Sequence, residues 1–440
     1  MDITWTSSNQ TATWQTRTPE TLAKGTPDLT VTGEQHQCIK GFGGCFNEQG
    51  WTALQALDDD TRAEVLQQLF DTENGCAFSL CRVPIGANDY AHEWYSLSEV
   101  EDDYGMEHFS IDRDRQCLIP YIKEAQKINS AITLFASPWS PPVWMKSPKA
   151  YNYGRLKNDA AVLEAYALYF QKFVEAYAAE GITVEQVHVQ NEPGSNQKFP
   201  SCVMPAEQMR DFIRDHLGPR FERENVNCEI WAGTLEKGML HGWDMDEANS
   251  YPRQVHTILK DAEARRYIAG IGFQWDGKGL VQRTRAAWPD VPLMQTENEC
   301  GDGQNTWAYA LYVFDLMWHY FSNGVCAYTY WNMVLPEEGE STWGWKQNSM
   351  INVSRQNQPV YNPEFYVMKH FAHYVRPGAR RLGIEGMWAA LALAFRNKDG
   401  STVVTVSNPY CQTEPMTLTV DAQPHRFDLP PRSINTITWG

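Results

Sequence analysis

Between about residues 40 and 373 the chain alternates short apolar runs with longer stretches of helical periodicity. The apolar runs are rich in Val, Ile and aromatic residues and predict strands at 41–46, 78–84, 132–137, 184–191, 228–235, 268–275, 291–297 and 325–332. Between them, apolar positions recurring every three to four residues predict helices at 61–70, 118–128, 160–179, 207–217, 253–264 and 306–322. Strands that alternate with helices pair in parallel and bury both faces, so the pattern predicts an α/β fold, a closed (β/α)8 barrel over residues 36–377. The flanks change character. Residues 378–440 predict successive strands at 389–396, 402–407, 416–420, 425–429 and 434–439. Turn formers separate them: Asn397-Lys398-Asp399-Gly400, Asn408-Pro409 and Leu429-Pro430-Pro431. Sixty or so residues of short strands leave open edges and a small apolar face. The Thr- and Trp-rich segment 1–35, with its alternation at Ala12-Thr13-Trp14-Gln15, is expected to cover them. The appended domain is thus an all-β sandwich formed from both chain ends.

Composition narrows the partners. The 37 basic and 54 acidic residues leave a net charge of −17, which repels nucleic-acid phosphates and anionic membrane surfaces. The longest apolar segment, 307–321, is broken by Asp315 and His319 and is shorter than the ~20 residues a bilayer needs. It reads as a buried helix, and no membrane insertion is expected. The opening residues Met1-Asp2-Ile3-Thr4-Trp5-Thr6 lack a basic and an apolar region, which predicts a cytoplasmic protein. Ten scattered cysteines, with no Cys-x-x-Cys and no paired Cys/His spacing, argue against a zinc site and for reduced thiols. Gly41-Phe42-Gly43-Gly44 lacks a phosphate-loop lysine and reads as close packing in the first strand, so no cofactor and no metal are expected. Seventeen tryptophans suit both core packing and the stacking of sugar rings on aromatic planes.

The chemistry sits at strand ends. Val187-His188-Val189-Gln190-Asn191-Glu192-Pro193 is an apolar run ending in Asn-Glu-Pro, which leaves Glu192 at a strand's carboxyl end beside the amide of Asn191. Val291-Pro292-Leu293-Met294-Gln295-Thr296-Glu297 ends a later strand in a second glutamate. Two carboxylates at one barrel mouth are the minimal equipment of a glycosidase, one as acid/base and one as nucleophile or base. Walking the other strand ends adds Arg82, Asp89, Trp139, Gln274, Trp275 and Trp331. Glu299, two residues past Glu297, competes for the same role, although the alternation Leu293, Gln295, Glu297 favours Glu297 at the mouth. Clustered His and Asp for a metal-dependent hydrolase are missing; only His188 is close, and alternation turns it away.

These segments resemble glycoside hydrolase family 30, the family of the acid β-glucosylceramidase. The matching residues are Gly41-Phe42-Gly43-Gly44, Cys81-Arg82-Val83-Pro84, Ala136-Ser137-Pro138-Trp139-Ser140-Pro141-Pro142-Val143-Trp144-Met145-Lys146, Gln190-Asn191-Glu192-Pro193, Thr296-Glu297 and Tyr330-Trp331-Asn332. They keep the family's order over nearly the whole chain. The resemblance implies a retaining β-glycoside hydrolase with Glu192 as acid/base and Glu297 as nucleophile. It implies that Asn191 bonds the sugar 2-hydroxyl, that Asp89, Trp139 and Trp331 hold the terminal sugar, and that Arg82 supports the nucleophile from behind. Asp89 fits a turn or helix cap equally, and Arg82 a structural ion pair. Trp144 reads as packing; Trp343 and Trp345, after the last strand, line a leaving-group site or pack in their loop. Where the glucosylceramidase has His-Trp-Tyr, this chain has Gln274-Trp275-Asp276. The tyrosine that would bond the nucleophile is missing, and Asp276 stands near it to tune the glutamates, to bind a hydroxyl, or to face away. A β-glucosidase or glucosylceramidase-like activity is the leading expectation. β-Xylosidase, β-fucosidase or β-1,6-glucanase activity, or a silent carbohydrate-binding barrel, are the alternatives.

Overall fold

The computed structural model describes residues 2–238 and 250–440. All eight expected barrel strands form: Gly41–Cys45, Leu80–Pro84, Thr133–Ser137, Val184–His188, Glu229–Leu235, Ile268–Gln274, Leu293–Glu297 and Ala327–Asn332. Neighbours in sequence pair in parallel, and the eighth returns to the first with Ala327 opposite Gly41. A bridge between Leu293 and Val325 closes the ring between strands seven and eight. The first-strand glycines pack as the sequence predicts. A Cβ on Gly43 would stand 2.0 Å from the Leu80 carbonyl oxygen, and one on Gly44 2.2 Å from Met333 Cγ. Only glycine permits that approach.

Helices start where a side chain caps them. Asp159 accepts from the amides of Ala161 and Val162 at the start of Ala160–Ala179, and Thr306 accepts from Tyr309 at the start of Trp307–Ser322. The second helix buries the longest apolar run, packing Phe314 and Phe321 on Phe371. Among the described residues no helix is long and apolar enough to cross a membrane. Two helical patterns fold differently from expectation. The one at 207–217 runs on through a π turn, as Ala206–Phe212, Ile213–Leu217 and Gly218–Glu224. The one at 253–264 splits into Val255–Leu259 and Ala262–Arg265. Asp261 causes the break: its carboxylate accepts from the amides of Glu263 and Ala264, each at 3.0 Å, and so starts a new helix.

Both chain ends build one seven-stranded sheet. Its order is Ala12–Arg17, Thr4–Asn9, Ser433–Trp439, Thr402–Asn408, Ala392–Arg396, Arg380–Glu385 and Thr30–Cys38. A second layer, Glu414–Val420 with Gln423–Leu429 and Glu20–Thr21, packs against it. The strands Thr30–Cys38 and Arg380–Glu385 are absent from the sequence prediction, because an edge pair that is mostly polar or half-exposed carries little alternation. The first residues of the strand expected at 389–396 instead form a single turn, Met387–Leu391. Trp5 is the centre of the sandwich core. It meets Phe427 edge-on at 5.4 Å and donates its indole N–H to Asn435 Oδ1 at 3.1 Å. The sandwich sits on the last barrel helix, Pro363–Ala372, where His370 bonds Ser8 Oγ at 2.8 Å and Thr436 Oγ1 at 2.9 Å.

Because Trp5 is almost fully buried, Trp5→Ala should cost about 3–5 kcal/mol of stability, read by denaturant unfolding, with no change in substrate affinity. Deleting residues 1–35 removes Thr4–Asn9, Ala12–Arg17 and most of Thr30–Cys38, leaves Ser433–Trp439 and Arg380–Glu385 as open edges, and should give insoluble or unstable protein. A soluble deletion with an unchanged melting temperature would show that the ends are dispensable.

Candidate active site

The strand ends converge on a fully buried guanidinium. Arg82, in the second strand, donates from Nη1 to Glu297 Oε2 at 2.6 Å and from Nη2 to Asn191 Oδ1 at 2.7 Å. Nε and Nη2 both reach Ser137 Oγ, at 3.1 and 2.7 Å. The guanidinium lies over the Trp139 ring, 4.4 Å from its centroid. The two readings of Arg82 therefore coincide: the buried ion pair is also the contact that holds the Glu297 carboxylate.

Glu297 ends the seventh strand and has two further donors. Trp275 Nε1 reaches Oε1 at 3.0 Å and Gln274 Nε2 reaches Oε2 at 3.3 Å. Trp275 thus gives Glu297 an indole donor where the sequence has no tyrosine. Glu192 lies just beyond the fourth strand with φ at +48°, in the left-handed region that costs a non-glycine residue about 1–2 kcal/mol. Its amide donates to the Thr234 carbonyl at 3.1 Å, and its own carbonyl accepts from Ser195 N at 2.9 Å. The Gln274 amide that reaches Glu297 also reaches Glu192 Oε1 at 3.3 Å. One nitrogen therefore touches both carboxyl groups and limits the separation of the two bonded oxygens to twice 3.3 Å.

The two glutamates differ in what surrounds them. Burial pushes Glu192 well above the usual carboxylate range, and Glu236, Glu297 and Asp89 push the same way; the Gln274 amide opposes them. Burial raises Glu297 too, but Arg82, the Trp275 indole and Gln274 pull it back. Glu297 therefore ionises before Glu192. Asp89 is pushed up to about 7 by burial and by Glu297. Its Oδ2 accepts from Trp343 Nε1 at 3.4 Å, while the buried Oδ1 has no hydrogen-bond partner among the described residues.

A narrow cavity of about 20 Å³ lies over these groups, lined by Asp89, Trp139, Asn191, Glu192, Phe199, Trp275, Glu297, Cys300, Trp345 and Gln347. Asn191 accepts three bonds through Oδ1, from Arg82, Thr234 and Gln274, which turns its Nδ2 group to the pocket. Several expected contacts stand one layer back. Trp331 stacks on Trp139 at 5.4 Å, and Gln347 accepts its indole N–H at 2.8 Å. Trp343 stacks on Phe199 at 5.3 Å and meets Asp89 rather than the cavity. Of the readings open for Asp276, support of the glutamates from behind and a position facing away among them, the structure shows the latter: it is exposed and pairs with Lys278 at 3.2 Å, because the chain turns outward into the short helix Trp275–Gly277. Glu299 is held away from the mouth as well, paired with Lys278 at 2.7 Å and bonded by the Tyr312 hydroxyl. Trp144 packs inward, its indole N–H donating to the Ser98 carbonyl at 3.2 Å.

Sequence reasoning missed Glu236, which is 5% exposed and directly follows the fifth strand. The strand-end rule that found the other residues points to it as well. Phe199 and Gln347 lie in loops whose paths no periodicity encodes.

The family profile of the glycosyl hydrolase family 30 TIM-barrel domain matches residues 39–375, and that of the glycosyl hydrolase family 30 beta sandwich domain matches residues 378–437. A Caenorhabditis elegans protein named as a glucosylceramidase is 31% identical over 94% of this chain and 82% of its own length. An endo-1,6-beta-D-glucanase of Neurospora crassa is 26% identical over 88% of this chain and 82% of its own. The solved structure of an endo-beta1,6-glucanase superposes with a TM-score of 0.89 at 24% identity, covering 100% of this chain and 99% of that one. The chain belongs to glycoside hydrolase family 30.

Proposed function

We propose that this glycoside hydrolase is a retaining β-glucosidase. The observation that carries the reading is the single Gln274 amide bonded to both glutamates, since a retaining pair stands about 5–5.5 Å apart and an inverting pair further. Glu297, ionised against Arg82, attacks the anomeric carbon as the bond to the leaving oxygen breaks. Glu192, protonated in the free enzyme, gives its proton to that oxygen. Once the leaving group departs, Glu192 takes a proton from water, and the water oxygen displaces Glu297 from the sugar. Asn191 Nδ2 meets the 2-hydroxyl and Asp89 Oδ1 a further hydroxyl, while Trp139 underlies the ring. Arg82 and Trp275 keep Glu297 charged between turnovers.

Two relatives guide the choice of sugar. A glucosylceramidase and an endo-1,6-glucanase both cleave the bond from a β-D-glucosyl unit, which supports glucose here over xylose or fucose.

Hydrolysis of nitrophenyl β-glycosides and of β-1,6- and β-1,3-linked glucose disaccharides should be fastest for the glucosides. Proton NMR early in the reaction should show the β-anomer first; the α-anomer first would refute the double displacement. Glu192→Gln and Glu297→Gln should each lose about 10²–10⁴-fold in kcat. Azide should restore turnover of Glu192→Ala on nitrophenyl substrates, whose leaving group needs no proton. Near-normal turnover in Glu297→Gln alongside a dead Glu299→Gln would reverse the nucleophile assignment.

A further inference from the structure

A third carboxylate supports the turn that carries Glu192. Glu236 Oε1 accepts from Ser195 Oγ at 2.8 Å, and Oε2 accepts from the Gly194 amide at 3.4 Å. Both donors belong to the turn Glu192-Pro193-Gly194-Ser195, which the bond from Ser195 N to the Glu192 carbonyl closes. The approach is tight: a Cβ on Gly194 would stand 2.9 Å from Glu236 Oε1 and 2.8 Å from Lys237 Cγ. Glu236 is itself anchored, its carbonyl accepting from Gly277 N at 3.1 Å. A residue held at φ +48° needs such external fixing, or its carboxyl would swing with the turn.

The chemistry of the pair is unequal. Glu236 has a hydroxyl donor, an amide donor and the nearby Lys237 ammonium to support a negative charge. Among the described residues Glu192 has a single donor to its carboxyl group, the Gln274 amide at 3.3 Å. Two buried carboxyl groups in one low-dielectric space do not both ionise readily, so the charge settles on the better-solvated one. We propose that Glu236 is a positioning residue for Glu192: it pins the turn and, by carrying the charge of the pair, keeps the proton on Glu192. The inference rests on Glu192 being the acid of the reaction.

The other groups facing Glu192 do not replace this one. Asp89 and Glu297 also disfavour its ionisation, but Arg82 neutralises Glu297 directly. The Cys300 thiol is kept protonated by burial, and His188, on the same strand, is kept neutral by burial. From the sixth strand comes Gln274, which is uncharged; Asp276 beyond it is exposed and paired with Lys278. Burial raises both members of the pair, Glu192 further, and among the charges around Glu192 that of Glu236 raises it most.

Without the Glu236 charge, Glu192 gives up its proton at lower pH, and the alkaline limb of kcat/KM moves down. Glu236→Gln, which still offers an oxygen to Ser195, tests this. One pH unit above the wild-type optimum its kcat/KM should fall roughly tenfold relative to wild type, with the acid limb unmoved and poor leaving groups affected more than nitrophenolate. Glu236→Asp keeps the charge and draws it back from the turn by one methylene, so kcat should fall while the alkaline limb stays near that of wild type. A profile in Glu236→Gln that drops evenly at every pH, or one superposable on wild type, overturns the proposal. If Glu236→Gln fails to fold, an alkaline limb displaced in Glu236→Asp overturns it. Glu192→Gln on a poor leaving group separates the two levels. Retained activity there removes the acid assignment itself, whereas an inactive Glu192→Gln beside an unshifted Glu236→Gln removes only the role of Glu236.

Discussion

A guanidinium shut off from water must find acceptors for its donors or the fold pays heavily in desolvation, and the whole mouth of this barrel is arranged around meeting that demand for Arg82. Its fork spans the ends of four strands: its own, Ser137 of the third, Asn191 just past the fourth and Glu297 of the seventh. Each contact fixes an atom whose angle matters. The bond to Glu297 orients and charges the carboxylate, and the bond to Asn191 turns its amide outward. The face of the guanidinium meets Trp139 and so levels the floor of the cavity. A lysine could supply the charge but not the planar fork, and Asn191 and Ser137 would be left without their donors.

From that anchor the site divides two chemically identical side chains by environment alone. Glu297 collects a cation, an indole and an amide; Glu192 collects one amide and several like charges. The resulting order of ionisation is what a pair of carboxyl groups needs to act as nucleophile and acid in a single pocket. Asp89, pushed up to about 7 by burial and by Glu297, belongs to the same balance of charge, in which Arg82 faces Glu297 while Glu192 and Asp89 are left with like charges around them.

Much of this was legible in the sequence, because barrels place function at strand ends. Eight apolar runs marked the strands, and reading their last residues found both glutamates, Arg82, Asn191 and Gln274. What escaped has physical reasons. Strand alternation says which side a residue faces while the strand lasts, but Asp276 and Glu299 lie one or two residues beyond it, where the turn decides. Trp275 was visible as a strand-end residue, yet its bond to Glu297 depends on a left-handed backbone at φ +47° that no pattern announces. Trp331 stacks on Trp139 and Trp343 meets Asp89, contacts between aromatic rings and loops that strand periodicity does not encode. The edge strands Thr30–Cys38 and Arg380–Glu385 were unreadable for the opposite reason, having too little apolar contrast to show a period.

The strand Thr4–Asn9 lies between Ala12–Arg17 and Ser433–Trp439, so one of its two edges is satisfied only by residues made more than four hundred positions later. During synthesis the opening hairpin therefore waits, half-paired, while the entire barrel is translated and folds beside it. Such a long-range closure is slow, and it leaves a sticky edge exposed to other nascent chains in the interval. The same neighbourhood has a compensating use. Because the first and last strands run antiparallel side by side, joining them through a short linker and opening the chain at a loop of the barrel's far face would let the sandwich form early, as a single local hairpin.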